Sequence, residues 1–146
     1  MKKYFSQINQ SNTVINIITV DGQSIEDHGG DKSAEAENWM NKKFKIPEGH
    51  KWVQTSRDNT SDFRKQAAGK GGKYDSNLDI FIQSQPYDSW ALDSNNDWQA
   101  PIAYPSVTEG YVIDWDEQNQ HWRGFKGAEE LSTWDSDTSS WSDPTP

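Results

Sequence analysis

The sequence predicts a mainly β protein of α+β character: an N-terminal hairpin or small sheet with one short helix, then tandem short aromatic β-hairpins joined by extended proline-containing arms. Three observations predict it. The 146 residues hold only 3 Leu, 10 Ile and 5 Val but 8 Trp, 5 Tyr and 5 Phe, so aromatic rings, each able to bury roughly 150–250 Å², must supply much of the core. One stretch alone has the apolar spacing of a good helix. Pairs of aromatic residues recur seven or eight positions apart with turn-forming polar residues between them, which is the pattern of short hairpins.

Residues 1–73 read as the sheet-plus-helix region. KYFSQINQSNTVINIITV places two β-rich runs around Asn9, Gln10, Ser11 and Asn12, a hairpin signal. In the second run Ile15 and Ile17 alternate with Val14, Asn16 and Ile18, as on a strand covered on at least one face. DGQSIEDHGGDKS reads as a polar loop. SAEAENWMNKKFKIPEG reads as the helix: Ser33 is placed to cap it, Glu35 and Glu37 lie near its start, and Lys42, Lys43 and Lys45 lie near its end, as the helix dipole favours. Ala36, Trp39, Met40 and Phe44 form its apolar stripe, and Pro47 and Gly49 stop it. HKWVQTS is then a short β-like run, and SDFRKQAAGKGGKYD is irregular.

Residues 74–141 read as the hairpin region, in four segments: YDSNLDIF (74–81), WALDSNNDW (90–98), WDEQNQHW (115–122) and WDSDTSSW (134–141). Two short strands joined by a turn of about four residues set the flanking aromatics opposite each other, a pair worth roughly 0.2–1 kcal/mol. The Asp near the first aromatic can accept from the turn's backbone amides. Pro86, Pro101 and Pro105 mark the connections as extended arms. The candidate packing or interface residues are therefore Tyr74, Phe81, Tyr87, Trp90, Trp98, Tyr104, Trp115, Trp122, Trp134 and Trp141. Residues 142–146 read as a short mobile tail.

Charge narrows the function. The net charge is −9, and residues 1–73 hold 12 Lys and Arg against 9 Asp and Glu, whereas residues 74–146 hold 2 against 14. So acidic a half repels DNA and anionic lipid, and neither is expected as a partner. The chain has no Cys, which removes thiolate catalysis and Cys-based metal sites. MKKYFSQINQSN lacks the apolar core of an export signal, and no apolar run approaches the roughly 18–20 residues that cross a bilayer. A soluble protein is expected.

The residues that could carry chemistry have plainer readings beside them. Asp75, Asn77 and Asp79, and again Asp93, Asn95 and Asp97, hold positions 1, 3 and 5 of a calcium-loop pattern, but Trp98 and Tyr104 stand where that pattern needs Gly and Glu. They read as hairpin turns. His28, His50 and His121 fall in no catalytic spacing, and AGKGGK lacks the spacing and the Ser or Thr of a phosphate loop. Asp114, Asp116 and Glu117 are the one carboxylate cluster a glycosidase reading would use, yet strand alternation sends them in different directions. The expectation is a non-enzyme with no catalytic residue, no cofactor and no metal.

The ordered series Trp52, Gln54, Thr55, Ser56; Tyr74, Asp75; Phe81, Ile82; Pro86, Tyr87, Ser89, Trp90; Leu92, Asp93; Trp98; Ala100, Pro101; Tyr104, Pro105; and Trp115, Asp116, Glu117, Trp122 covers about half the chain. It resembles a group of small accessory virion proteins of tailed phages, especially marine phages and cyanophages. Two features depart from that pattern: Gln83-Ser84-Gln85 replaces a double Pro before Pro86-Tyr87, and the chain continues through a further Trp134–Trp141 segment. The resemblance implies a virion structural protein, assembled in the host cytoplasm, and within that class a capsid decoration or cement protein on the head. Its partners would be other virion proteins, the major capsid protein first, with self-association possible. The alternative is a tail, neck or fibre component that binds host-surface glycan through exposed Trp.

Overall fold

The N-terminal hairpin forms where its turn residues predict it. In the computed structural model, which describes residues 1–57, 63–127 and 131–142, β1 (Lys2–Ile8) pairs antiparallel with β2 (Val14–Asp21). Asn9 Oδ1 accepts from the backbone N–H groups of Ser11 at 2.9 Å and Thr13 at 3.0 Å. Asn12 completes the turn at φ +63°, a left-handed value that Asn tolerates. β3 (Lys51–Thr55) pairs with the other edge of β1, so the sheet order is β2-β1-β3.

The expected polar loop after β2 contains a helix, so the described residues hold two short helices rather than one. In α1 (Gly22–Asp27) Asp21 accepts from the Ser24 N–H at 3.3 Å, and Ile25 is fully buried. With one large apolar residue in six, it has no periodicity to read; its signal is the Asp cap. α2 (Ala34–Lys43) follows the sequence closely: Ser33 Oγ accepts from the Ala36 N–H at 3.0 Å, and Ala36 and Met40 are fully buried.

The sheet is covered on both faces. Phe5, Val20 and Trp52 pack with Ile25, Ala36 and Met40 of the helices. Ile8, of opposite parity to Phe5 on β1, packs with Val14, Val53, Tyr74 and Phe81. Those two rings belong to the hairpin β4 (Lys73–Asp75) and β5 (Ile80–Ile82). The chain accordingly divides into Met1–Ser84 and Gln85–Pro146, not at residue 73, because the first aromatic hairpin completes the N-terminal core.

Polar groups close the same unit. Arg64 Nη1 donates to Glu37 Oε2 at 2.8 Å and to the Gln54 carbonyl at 2.9 Å, while its Nε lies 2.7 Å from Asp79 Oδ1. The Tyr74 hydroxyl donates to Asp79. Burial and the Asp79 carboxylate push the Tyr74 phenol up to about 12, against the opposing pull of Arg64. An unfolded chain releases this proton near pH ~10 while the folded chain keeps it, so stability is expected to fall as pH rises from about 10 to about 12. Urea midpoints measured across that window check this: Tyr74→Phe should flatten the slope, and an unchanged slope would refute the assignment.

The second unit holds the small hairpin β6 (Ala91–Leu92) and β7 (Trp98–Gln99). Its main body is β8 (Val112–Asp116), β9 (His121–Phe125), β10 (Leu131–Asp135) and β11 (Ser140–Trp141), an antiparallel sheet in sequential order. The described residues thus form four small antiparallel sheets and two short helices, a mainly β architecture. Of the tail expected at 142–146, residues 143–146 lie outside the described residues.

Candidate functional site

A seven-residue spacing of aromatics is decoded by one turn geometry. Tyr74 faces Phe81, Trp115 faces Trp122 and Trp134 faces Trp141, with ring centroids 5.1, 5.0 and 5.2 Å apart. The following Asp ties each turn: Asp75 accepts from the N–H groups of Asn77 and Leu78, Asp116 from Asn119, and Asp135 from Asp137 and Thr138. Asp79, Gln120 and Ser139 reverse the chain at φ +56°, +52° and +51°. The eight-residue spacing behaves differently. Leu92 faces Trp98, and Trp90 lies outside the strand pair, edge-on to Trp115 at 6.2 Å and Trp122 at 5.9 Å.

The inner face of the β8–β11 sheet is an indole cluster. Trp115, Trp122 and Trp134 are buried, with Trp90, Ala100, Ile102, Ile113 and Trp141 packed around them. Indole N–H groups also fasten the proline arm: Trp122 Nε1 donates to the Ile102 carbonyl at 2.9 Å and Trp141 Nε1 to the Val107 carbonyl at 2.8 Å. An arm without strand partners is thereby held by side chains.

Of the three carboxylates expected to diverge, Glu117 does, whereas Asp114 and Asp116 share the parity of β8 and turn to the same face, opposite Arg123 and His121. Glu117 accepts from the Ser89 hydroxyl at 2.5 Å, the Ser89 N–H at 2.9 Å and Trp115 Nε1 at 2.8 Å; these bonds, the Ser89 hydroxyl's first, hold its carboxyl below the usual range. Asp114 takes both arms of Arg123 at 2.8 Å. Asp116 accepts from Asn119, whose side chain does most to lower its carboxyl, and lies 3.3 Å from His121 Nε2. Each is engaged by a different partner. The other two histidines are also placed by packing: His28 stacks on Trp39 at 4.2 Å, and His50 Nδ1 meets Gln7 at 3.0 Å. Among the described residues no group of three or more His, Cys, Asp or Glu could hold a metal ion, and no helix is long and apolar enough to cross a membrane.

Gly124 is a site residue that sequence reasoning missed. A Cβ there would lie 2.8 Å from the rings of both Trp141 and Tyr111, which stack at 4.6 Å over it. Gly124→Ala is therefore expected to destabilise the second unit by about 1–3 kcal/mol through overpacking. Thermal unfolding of the variant measures this, and an unshifted midpoint would refute it.

The ten candidate aromatics thus separate by exposure. Tyr74 and Phe81 are core residues of the first unit; Trp115, Trp122 and Trp134 are buried in the second; Trp90, Trp98 and Trp141 are half-buried. Tyr87 and Tyr104 are exposed. Protein-family models, curated proteins and solved structures yield no match to this chain. The site must be read from its own geometry. By alternation, Val112, Phe125 and Leu131 share the sheet's outer face in one row, ahead of the Asp114–Arg123 pair. Val112 is 73% exposed, so the apolar surface this unit presents is aliphatic and tyrosyl more than indole.

Proposed function

We propose that this chain is a non-enzymatic structural protein of a tailed-phage virion, assembled in the host cytoplasm, and that it serves as a decoration or cement protein on the head with the major capsid protein as its partner. We read the segments 74–81, 115–122 and 134–141 as one repeated hairpin unit, each braced by a facing aromatic pair and an Asp-tied turn, with 90–98 as its eight-residue variant. The observation that carries the proposal is the outer row Val112–Phe125–Leu131, an apolar stripe on a sheet whose opposite face is filled by Trp. An apolar row with Val112 exposed and Phe125 and Leu131 half-buried, beside a fixed charge pair, suits a protein partner. The resemblance to accessory virion proteins supports the setting.

The alternative, a tail, neck or fibre component binding host glycan, is favoured at one place only, where Tyr104 is 58% exposed. Its original warrant was exposed Trp, and Trp115, Trp122 and Trp134 are buried. Cryo-electron microscopy of virions from the encoding phage, with mass-spectrometric copy counting, tests both readings. Many copies on the head are expected. A few copies at the neck or tail would put the glycan reading first, and absence from particles would overturn the virion assignment. Val112→Glu, which alters an exposed residue, should fold and yet fail to join the particle.

A further inference from the structure

We infer that the first unit carries a binding site for a small phosphate-bearing anion, in the cavity where the start of β1 meets the end of β3. The cavity has a volume of about 590 Å³, within the roughly 300–1,000 Å³ typical of small-ligand sites. Its wall includes Lys2, Lys3, Lys32 and Arg57, with Asp31 as the one carboxylate among the described lining residues. In a chain of net charge −9, this is a local positive spot.

The fold gathers these cations on the wall of one cavity. The β1–β3 ladder ends at Tyr4 opposite Thr55, so Lys2 and Arg57 both lie just past its last pair, and Lys2 stands opposite Asp21 on its β2 side. Cations gathered on one cavity wall attract an anion placed among them. Lys32 is fixed too: it sits at φ +60°, and its backbone N–H donates to Gln54 Oε1 at 2.8 Å. Gln54 is 2% exposed, and its Nε2 donates to Asp31 Oδ1 at 2.6 Å. A buried amide thus positions one cation and engages the lone carboxylate.

Asp31 does not neutralise the site, because its charge is already committed. It pairs with Lys3 at 3.2 Å. Burial pushes its carboxyl up, but the Gln54 amide and the Lys3 ammonium outweigh this and hold it below the usual range. Among the described lining residues no second carboxylate stands beside Lys2, Lys32 and Arg57. Two ammonium groups and a guanidinium fork suit a phosphoryl group, which the fork can grip with two bonds. The volume exceeds a bare phosphate, and Tyr4 is also on the cavity wall.

Amide chemical shifts of the full chain, titrated at constant ionic strength with pyrophosphate, ADP and adenosine, test the site. Saturable shifts at Lys32, Gln54 and Thr55 are expected with pyrophosphate and ADP and not with adenosine. Lys2→Gln and Arg57→Gln should each weaken binding by about tenfold or more, as loss of a charge-assisted contact implies, without lowering the melting temperature, since both residues are exposed. Shifts that follow ionic strength alone, that are equal for sodium chloride, or that survive in both variants would overturn the proposal. So would a lowered melting temperature in both variants, which would make these cations structural.

Discussion

Arg64→Met is expected to lower the stability of the first unit by about 3–5 kcal/mol, the range for removing one partner of a buried ion pair. The side chains of Arg64 and Glu37 are only 12% and 19% exposed, so Glu37 would be left as a poorly solvated carboxylate, with the Gln54 N–H at 2.6 Å as its remaining donor. Three elements loosen together: Glu37 lies on α2, the Gln54 carbonyl on β3, and Asp79 in the β4–β5 turn. Arg64 holds this position at φ +53°, a conformation unfavourable for a side chain of its size, so the contacts outweigh a backbone strain of about 1–3 kcal/mol. Urea denaturation followed by amide signals of β1 and β3 measures the loss. The double variant Glu37→Gln with Arg64→Met should recover part of it, because the stranded charge is gone. A loss below about 1 kcal/mol, or strict additivity in the double variant, would refute the clamp.

How much of this was legible in the sequence depended on how local the cause was. The α2 cap at Ser33, the Asn9 turn and the Asp-tied turns could be read directly, because one side chain and the amides two to four residues beyond it suffice. The pairing of Trp115 with Trp122 followed from spacing alone, whereas the eight-residue spacing of Trp90 and Trp98 did not, since one added residue changes the register. The Arg64 clamp was hidden, because its partners stand 27, 10 and 15 positions away in the chain. Gly124 was hidden for the same reason: its constraint comes from Tyr111 and Trp141 meeting over one sheet position. The outer row could not be read until the register fixed which of Val112, Ile113 and Phe125 turn outward.

Trp122→Ala should unfold the second unit while leaving the first folded. Trp122 is 6% exposed, packs edge-on against Trp115, Trp90 and Tyr104 at 5.0, 5.9 and 5.0 Å, and fastens the proline arm through the Ile102 carbonyl at 2.9 Å. Truncating a buried Trp costs about 3–5 kcal/mol, and a core this small supplies rarely more than about 3–5 kcal/mol in total. The loss therefore equals the unit's whole margin. Amide dispersion should collapse across residues 85–127 while β1–β3 signals persist. Trp122→Phe separates the ring from its polar tip: it keeps an aromatic contact but strands the Ile102 carbonyl, at a cost of about 1 kcal/mol. This pair of variants also bears on function. If Trp122→Ala stays folded and loses only carbohydrate retention, the ring is a ligand platform and the structural reading of the indole cluster fails; if it unfolds, the surface available to a partner is the one these indoles support from beneath.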